Sequence, residues 1–266
     1  ALTLIGGVVV SMRQARLAEE QRARAERHFA SVRKLADAFM FQVHDAIEQL
    51  PGSTAARELM VNTALEYLNT LAKEAGGDLG LQQELGNAYR KVASIQGQAY
   101  GASKGQPREA LESYGKSISL LAPVVAADPA NRKARNSLAQ STLQRSRLFL
   151  LLGEPEKATA ASQQAIELYE ALAADSSDRQ SRKDLANAYG VHSYNVDMGG
   201  KQDAGIPFAR KAIAILEGLA SEDPKDSAMQ FQLAQAYSAL VSVLPGPERD
   251  PARVDEALRL NRKALA

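Results

Sequence analysis

The stretch Asp78-Leu79-Gly80-Leu81-Gln82-Gln83-Glu84-Leu85-Gly86-Asn87-Ala88-Tyr89 decides the fold. Its last five residues return in altered form along the chain. Leu138-Ala139-Gln140-Ser141-Thr142 is one copy, and Leu185-Ala186-Asn187-Ala188-Tyr189 and Leu233-Ala234-Gln235-Ala236-Tyr237 are others. Upstream, Leu35-Ala36-Asp37-Ala38-Phe39 fits the same template. The leucines step by 50, 53, 47 and 48 residues. Self-similarity at such a period is the mark of stacked structural units. Asp78, Asn131, Asp178 and Asp226 each lie seven residues before their leucine. Asp and Asn accept hydrogen bonds from the free N–H groups of a first helical turn, so each is an expected N-cap. A cap, a leucine at fixed offset and an aromatic four residues later describe one helix with its buried stripe.

Second helices repeat as well. Ala64-Leu65-Glu66-Tyr67-Leu68 matches Ala165-Ile166-Glu167-Leu168-Tyr169, with Ser117-Ile118, Ala212-Ile213 and Ala264-Leu265 at the same place. Seven residues beyond the alanine or serine stand Leu71, Val124, Leu172 and Leu219. Asp128-Pro129 and Asp223-Pro224 end two of these helices, because proline cannot continue one. Turns inside the pairs are marked by Gly105-Gln106-Pro107, Gly153-Glu154-Pro155 and Gly199-Gly200. An earlier pair runs from Phe29 to Gly77, interrupted at Pro51-Gly52. No stretch reads as a strand. The expected fold is all-α: a right-handed solenoid of about five antiparallel helix pairs over residues 29–266, the last one truncated.

Composition agrees and removes several functions. The chain has 266 residues, 45% hydrophobic and 24% charged, as in a soluble globular protein. A net charge of +1 gives no general attraction to nucleic acid. With no cysteine, thiol catalysis, disulfides and thiolate metal sites are excluded. Residues 1–12 carry no charged side chain and include Leu4, Ile5, Val8, Val9 and Val10, too short alone for a span of about 20 residues. They read as the C-terminal part of a transmembrane helix, followed over residues 13–28 by a charged juxtamembrane helix. The chain opens at Ala1 and closes at Ala266 within a helical pattern, as expected for part of a longer protein.

The repeating unit resembles the tetratricopeptide repeat. That family's Leu-Gly-x-x-Tyr appears as Leu85-Gly86 and Tyr89, its small residues as Ala110 and Ser117, and its closing proline as Asp128-Pro129. The family period is about 34 residues. Here Leu138 to Ala158 and Leu185 to Gly205 each span 20 residues, about two helical turns longer than usual. The family's early Trp is absent. Residues 22 to about 97 also resemble the membrane-proximal part of bacterial receptor-type serine/threonine kinases, through His44-Asp45-Ala46-Ile47 and Leu50-Pro51-Gly52-Ser53-Thr54 among others. That resemblance implies a membrane-anchored signalling protein with its repeats on the extracytoplasmic, periplasmic side. Arginines 13, 16, 22, 24 and 27 after the apolar run pull the other way, since they ordinarily mark the cytoplasmic side.

Catalytic signals are missing. There is no His-Arg-Asp loop, Asp-Phe-Gly or glycine-rich phosphate loop. Gly199-Gly200-Lys201 lacks the flanking residues of a P-loop and reads as a helix end. His28, His44 and His192 have no nucleophile beside them and read as surface or packed histidines. Neither a cofactor nor a metal is expected.

What the repeat resemblance implies is a groove lined by first helices, at positions −2, +2, +5 and +6 from the key leucine. Those positions are Gln83, Asn87, Arg90 and Lys91, then Asn136, Gln140, Leu143 and Gln144. Lys183, Asn187, Gly190 and Val191 follow, then Phe231, Gln235, Ser238 and Ala239. Gln83, Asn87, Arg90, Lys91, Asn136, Gln140, Lys183, Asn187 and Gln235 form the candidate peptide-binding row, suited to an extended segment of acidic character. Lys183 and Asn187 match half of a carboxylate clamp, but Ala228 and Gln232 occupy the places of its other basic residues. The expected function is a non-catalytic module or sensor for a protein or peptide partner. The alternative is self-association, a homodimer formed through the 13–50 helix and the repeats, without a peptide ligand.

Overall fold

The computed structural model describes residues 54–74, 76–97, 105–174, 178–244 and Arg259. The partial membrane helix, the charged helix, the first helix of the first pair and the 13–50 dimerisation helix lie outside these residues. So do His28, His44 and the last helix. Two compact units divide the chain, 1–64 and 65–266, and the repeats described below belong to the second.

Eight helices are described: α1 (Thr54–Glu74), α2 (Leu79–Gly97), α3 (Pro107–Ala127), α4 (Arg132–Leu151), α5 (Pro155–Ala173), α6 (Arg179–Met198), α7 (Gln202–Glu222) and α8 (Ser227–Val243). From α2 onward each packs on its neighbours in sequence, and α2 with α4 and α4 with α6 also touch. This is the all-α solenoid of stacked helix pairs read from the sequence. The even-numbered helices are the first of each pair. Among the described residues, no helix is long and apolar enough to cross a membrane.

The expected caps form. Asp78 Oδ1 accepts from the Leu81 amide at 3.0 Å, Asn131 from Ala134 at 3.0 Å, Asp178 from Ser181 at 3.1 Å and Asp226 from Met229 at 2.9 Å. Pro107 and Pro155 begin α3 and α5, where a missing N–H costs nothing. The turns joining α4 to α5 and α6 to α7 share one geometry. Glu154 N–H donates to Phe149 O and Gly153 N–H to Leu150 O, and 47 residues later Lys201 N–H donates to Val196 O and Gly200 N–H to Asp197 O. This double bond pattern closes a helix with a left-handed residue, here Gly153 (φ 77°) and Gly200 (φ 79°).

Both repeated stripes are buried. Leu85, Leu138, Leu185 and Leu233 are all below a tenth exposed, as are Leu71, Val124, Leu172 and Leu219. Tyr89, Tyr189 and Tyr237 sit beside them, each reaching back to the preceding second helix. Their hydroxyls donate to Asn69 at 2.8 Å, Glu170 at 2.6 Å and Glu217 at 2.5 Å. Lys116 and Lys211 lie over the rings of Tyr89 and Tyr189 at 5.4 and 5.2 Å. One apolar cluster runs unbroken from Ala139 to Leu240.

The seams also hold buried polar pairs, each different. Ser113 donates to Gln96 at 2.7 Å between α3 and α2. Ser117 pairs with Ser141 at 2.9 Å between α3 and α4. Ser162 pairs with Nδ1 of His192 at 2.8 Å between α5 and α6. Burial holds the His192 imidazole below its ordinary pKa, and Phe208 closes over it edge-on at 4.4 Å.

Candidate functional site

Each first helix buries one stripe against its partner and turns another toward the next first helix. On α6 this second stripe runs along Lys183, Asn187, Gly190, Val191, Tyr194 and Met198, at steps of three, four and one. It forms the floor of a cavity of about 1060 Å³. The end of α4 makes one wall, with Arg147, Leu150 and Leu151. Gln232, Gln235, Ala236 and Ala239 of α8 make the other, with Ala212 and Leu216 of α7 below.

Polarity is sorted along this cavity. Near the start of α6 are Lys183 and Asp184. Asp184 accepts a bond from Gln180 Nε2 at 2.8 Å, and burial raises its carboxyl above its ordinary pKa. One turn on, Asn187 Oδ1 accepts from Arg147 Nη2 at 2.9 Å, which brings a second cation over the floor. Toward the end of α6 the lining becomes apolar. Leu151 is 69% exposed, Tyr194 54% and Met198 54%, three of the largest exposed apolar side chains among the described residues. Beside them Asn195 is 1% exposed; its Nδ2 donates to Ala158 O at 3.1 Å while its Oδ1 is without a partner.

Of the nine residues of the polar row, Lys183, Asn187 and Gln235 meet in this cavity. The other six lie outside it. Gln83 serves the scaffold: its Oε1 accepts from Asn131 Nδ2 at 2.8 Å, tying α2 to the cap of α4. Asn87 and Arg90 are half-buried on α2, with Asn87 Oδ1 and Arg90 Nε unpartnered, and Lys91 is exposed. Asn136 and Gln140 are half-buried on α4. Leu143, placed in the groove from the register, is instead 1% exposed in the apolar cluster. A branched apolar side chain gains about 1.5–3 kcal/mol from burial, and at this position the seam is within reach.

Arg147, Leu151, Tyr194 and Met198 escaped the register because it stopped at +6. Arg147 and Tyr194 are both at +9, and Leu151 and Met198 both at +13. These are the same face carried into the extra turns of the lengthened helices.

A second set of residues binds neighbouring first helices at their starts. Arg132, first in α4, donates to the α6 cap Asp178 at 2.6 Å. Arg179, first in α6, donates to the α8 cap Asp226 at 3.1 Å. Arg182 ties α6 instead to the end of α7, donating twice to Glu222 at 2.5 and 2.9 Å. Hydrogen bonds from Ser181 and the Arg132 guanidinium pull the Asp178 carboxyl down to about 2, and Asp226 and Glu222 are likewise lowered. Among the described residues no group of acidic or histidine side chains is arranged to hold a metal ion.

No protein-family model matches the chain, and no curated protein matches it. Solved structures do. BtubC (BKLC) from P. vanneervenii is similar at 15% identity, with a TM-score of 0.42 over 87% of this chain and 89% of that one. MamA is similar at 21% identity, TM-score 0.40, over 81% of this chain and 92% of that one. A putative kinesin light chain of nearly identical TPR-like repeats from Podosopora anserina follows at 22% identity, TM-score 0.31, over 75% and 92%.

Proposed function

We propose that this chain is a non-catalytic protein-binding module whose cavity along α6 takes a segment of a partner protein. One observation carries the reading: Leu151, Tyr194 and Met198 are exposed, yet they converge on one concave surface with Lys183, Arg147 and Gln235. Apolar anchors in a concavity with a few oriented polar groups are what a binding site needs. His192 supports no acid–base role, being enclosed with Ser162 in a seam. A photo-crosslinking residue in place of Tyr194 or Gln235 should capture the partner in its native cell. The same probe at Gln164 or Glu167, on the exposed side of α5, should not. Capture confined to α5 would end the reading.

The wider setting we propose is a membrane-anchored bacterial serine/threonine kinase, with this region as its sensor or scaffold. Its support is the resemblance over residues 22 to about 97, most of them outside the described residues. The sequence encoded upstream of Ala1 tests it. A kinase domain there, with its His-Arg-Asp and Asp-Phe-Gly motifs, is the expected result, and its absence would end the kinase assignment without touching the groove.

A further inference from the structure

The cavity follows one helix, and this bears on the shape of its occupant. Its α6 lining continues from Lys183 to Met198, about 22 Å of helix at the usual rise. Among the described residues, the end of α4 and the middle of α8 flank it. It is a trough parallel to α6.

Gly190 lies at its centre. A Cβ built there would meet no heavy atom within 4 Å, and its φ is not in the left-handed region. Neither internal packing nor backbone conformation asks for glycine, which is unfavourable inside a helix relative to alanine. What the missing side chain provides is room for close approach from the open side. Val191, Ala186, Ala236 and Ala239 around it are small as well. Helices packed on one another come within about 8–10 Å when the side chains at the contact are small.

An extended segment would bring bare N–H and C=O groups onto this surface. At the apolar end of the cavity Leu150, Leu151, Val191 and Met198 offer them no partner, and Asn187 Oδ1 is already held by Arg147. Buried backbone groups without partners are costly. A helix satisfies its own backbone and needs only side-chain complementarity, as in other helix-in-groove complexes.

Resting on the protein-binding reading above, the geometry points to an amphipathic helix of a partner protein, laid along α6 as its occupant. Its apolar residues, spaced i, i+3/i+4, i+7, pack on Tyr194, Met198, Leu150 and Leu151. Its opposite end carries acidic side chains that face Lys183 and Arg147. The extended acidic segment suggested by the row of amides is the competing occupant.

Selection of binders to the full 266-residue chain decides between them, using two peptide libraries of equal length: side-chain-stapled helices and proline-constrained extended peptides. The expected winners are stapled helices with an apolar stripe and an acidic end. Their affinity should fall at least tenfold on Gly190→Leu and on Tyr194→Ala, and lose much of its salt dependence on Lys183→Ala. Gly190 and Tyr194 are exposed, so both variants should keep the parent's circular dichroism, and Gly190→Leu should melt no earlier than the parent. Extended winners that withstand Gly190→Leu but are lost on Gln235→Ala would overturn the helix and leave the groove standing. Winners from neither library, or winners competing only at the α5 face, would overturn the groove itself.

Discussion

Two glycines show how differently one residue type reads once its surroundings are known. Gly86 and Gly190 both stand inside first helices. A Cβ at Gly86 would lie 2.6 Å from Leu121 Cγ, and Leu121 is fully buried with nowhere to move. Gly86→Ala should therefore cost about 1–3 kcal/mol through overpacking. Gly190→Ala, into open space, should raise stability by about 0.4–1 kcal/mol, because alanine restricts the unfolded chain. Denaturant midpoints moving in opposite directions are the expected result, and a shift of the same sign at both sites would refute the packing difference. The sequence contained Leu85-Gly86 as part of a repeat motif, so its packing role was legible. At Gly190 no such motif exists. The polar row was legible in identity but not in use: Gln83 turned out to bind a cap, and Asn187 an arginine, through partners 48 and 40 residues away.

Helix boundaries were the most legible level, since caps, glycines and prolines act on neighbours in sequence. Asp78, Asn131, Asp178 and Asp226 all begin their helices as their position implied. The arginine that grips the next cap was missed, although Arg132 and Arg179 both precede their leucines by six residues. A repeated cation beside a repeated acid one period later was the available signal. These contacts make acid stability predictable. The Asp178 carboxyl is lowered from 3.8 to about 2 in the folded chain. A depressed carboxylate stabilises the fold above its unfolded pKa, and that contribution is lost as pH falls through the folded value. Thermal stability should thus decline between pH 3.8 and about 2. Asp178→Asn keeps an acceptor for the Ser181 amide but cannot titrate, so its decline should be shallower. An unchanged slope would show that Asp178 is not among the groups responsible.

In the repeat unit as a whole, one apolar cluster from Ala139 to Leu240 binds α4 through α8, and Ala93, Ala110, Tyr114 and Leu148 join α2, α3 and α4. Leu185 is 8% exposed in the large cluster, and Leu185→Ala should cost about 2–5 kcal/mol. Amide exchange should accelerate across α4–α8 and change little in α2 and α3, since each unit of a solenoid touches only its neighbours. Uniform acceleration back to Leu81 would mean one cooperative block instead. Solenoid order followed from the period, but the groove did not follow in full. Its apolar end lies on helical turns that the shorter family repeat lacks, so a register borrowed from that family ends before reaching Tyr194 and Met198.

The unlike polar pairs in the seams bear on assembly during synthesis. A chain of near-copies risks docking a hairpin on the wrong sibling, or trading one with another molecule. Leucine against leucine cannot tell these mistakes from the correct fold. Ser117 with Ser141, and Ser162 with His192, can. If the α5 face met α4 of a second molecule in place of α6, the Ser162 hydroxyl would keep its bond to the Thr159 carbonyl but lose its imidazole. One buried hydrogen bond forgone in this way costs about 0.5–1.5 kcal/mol. These seams thus carry different addresses, and a small penalty for misdelivery keeps similar hairpins in their proper sequence.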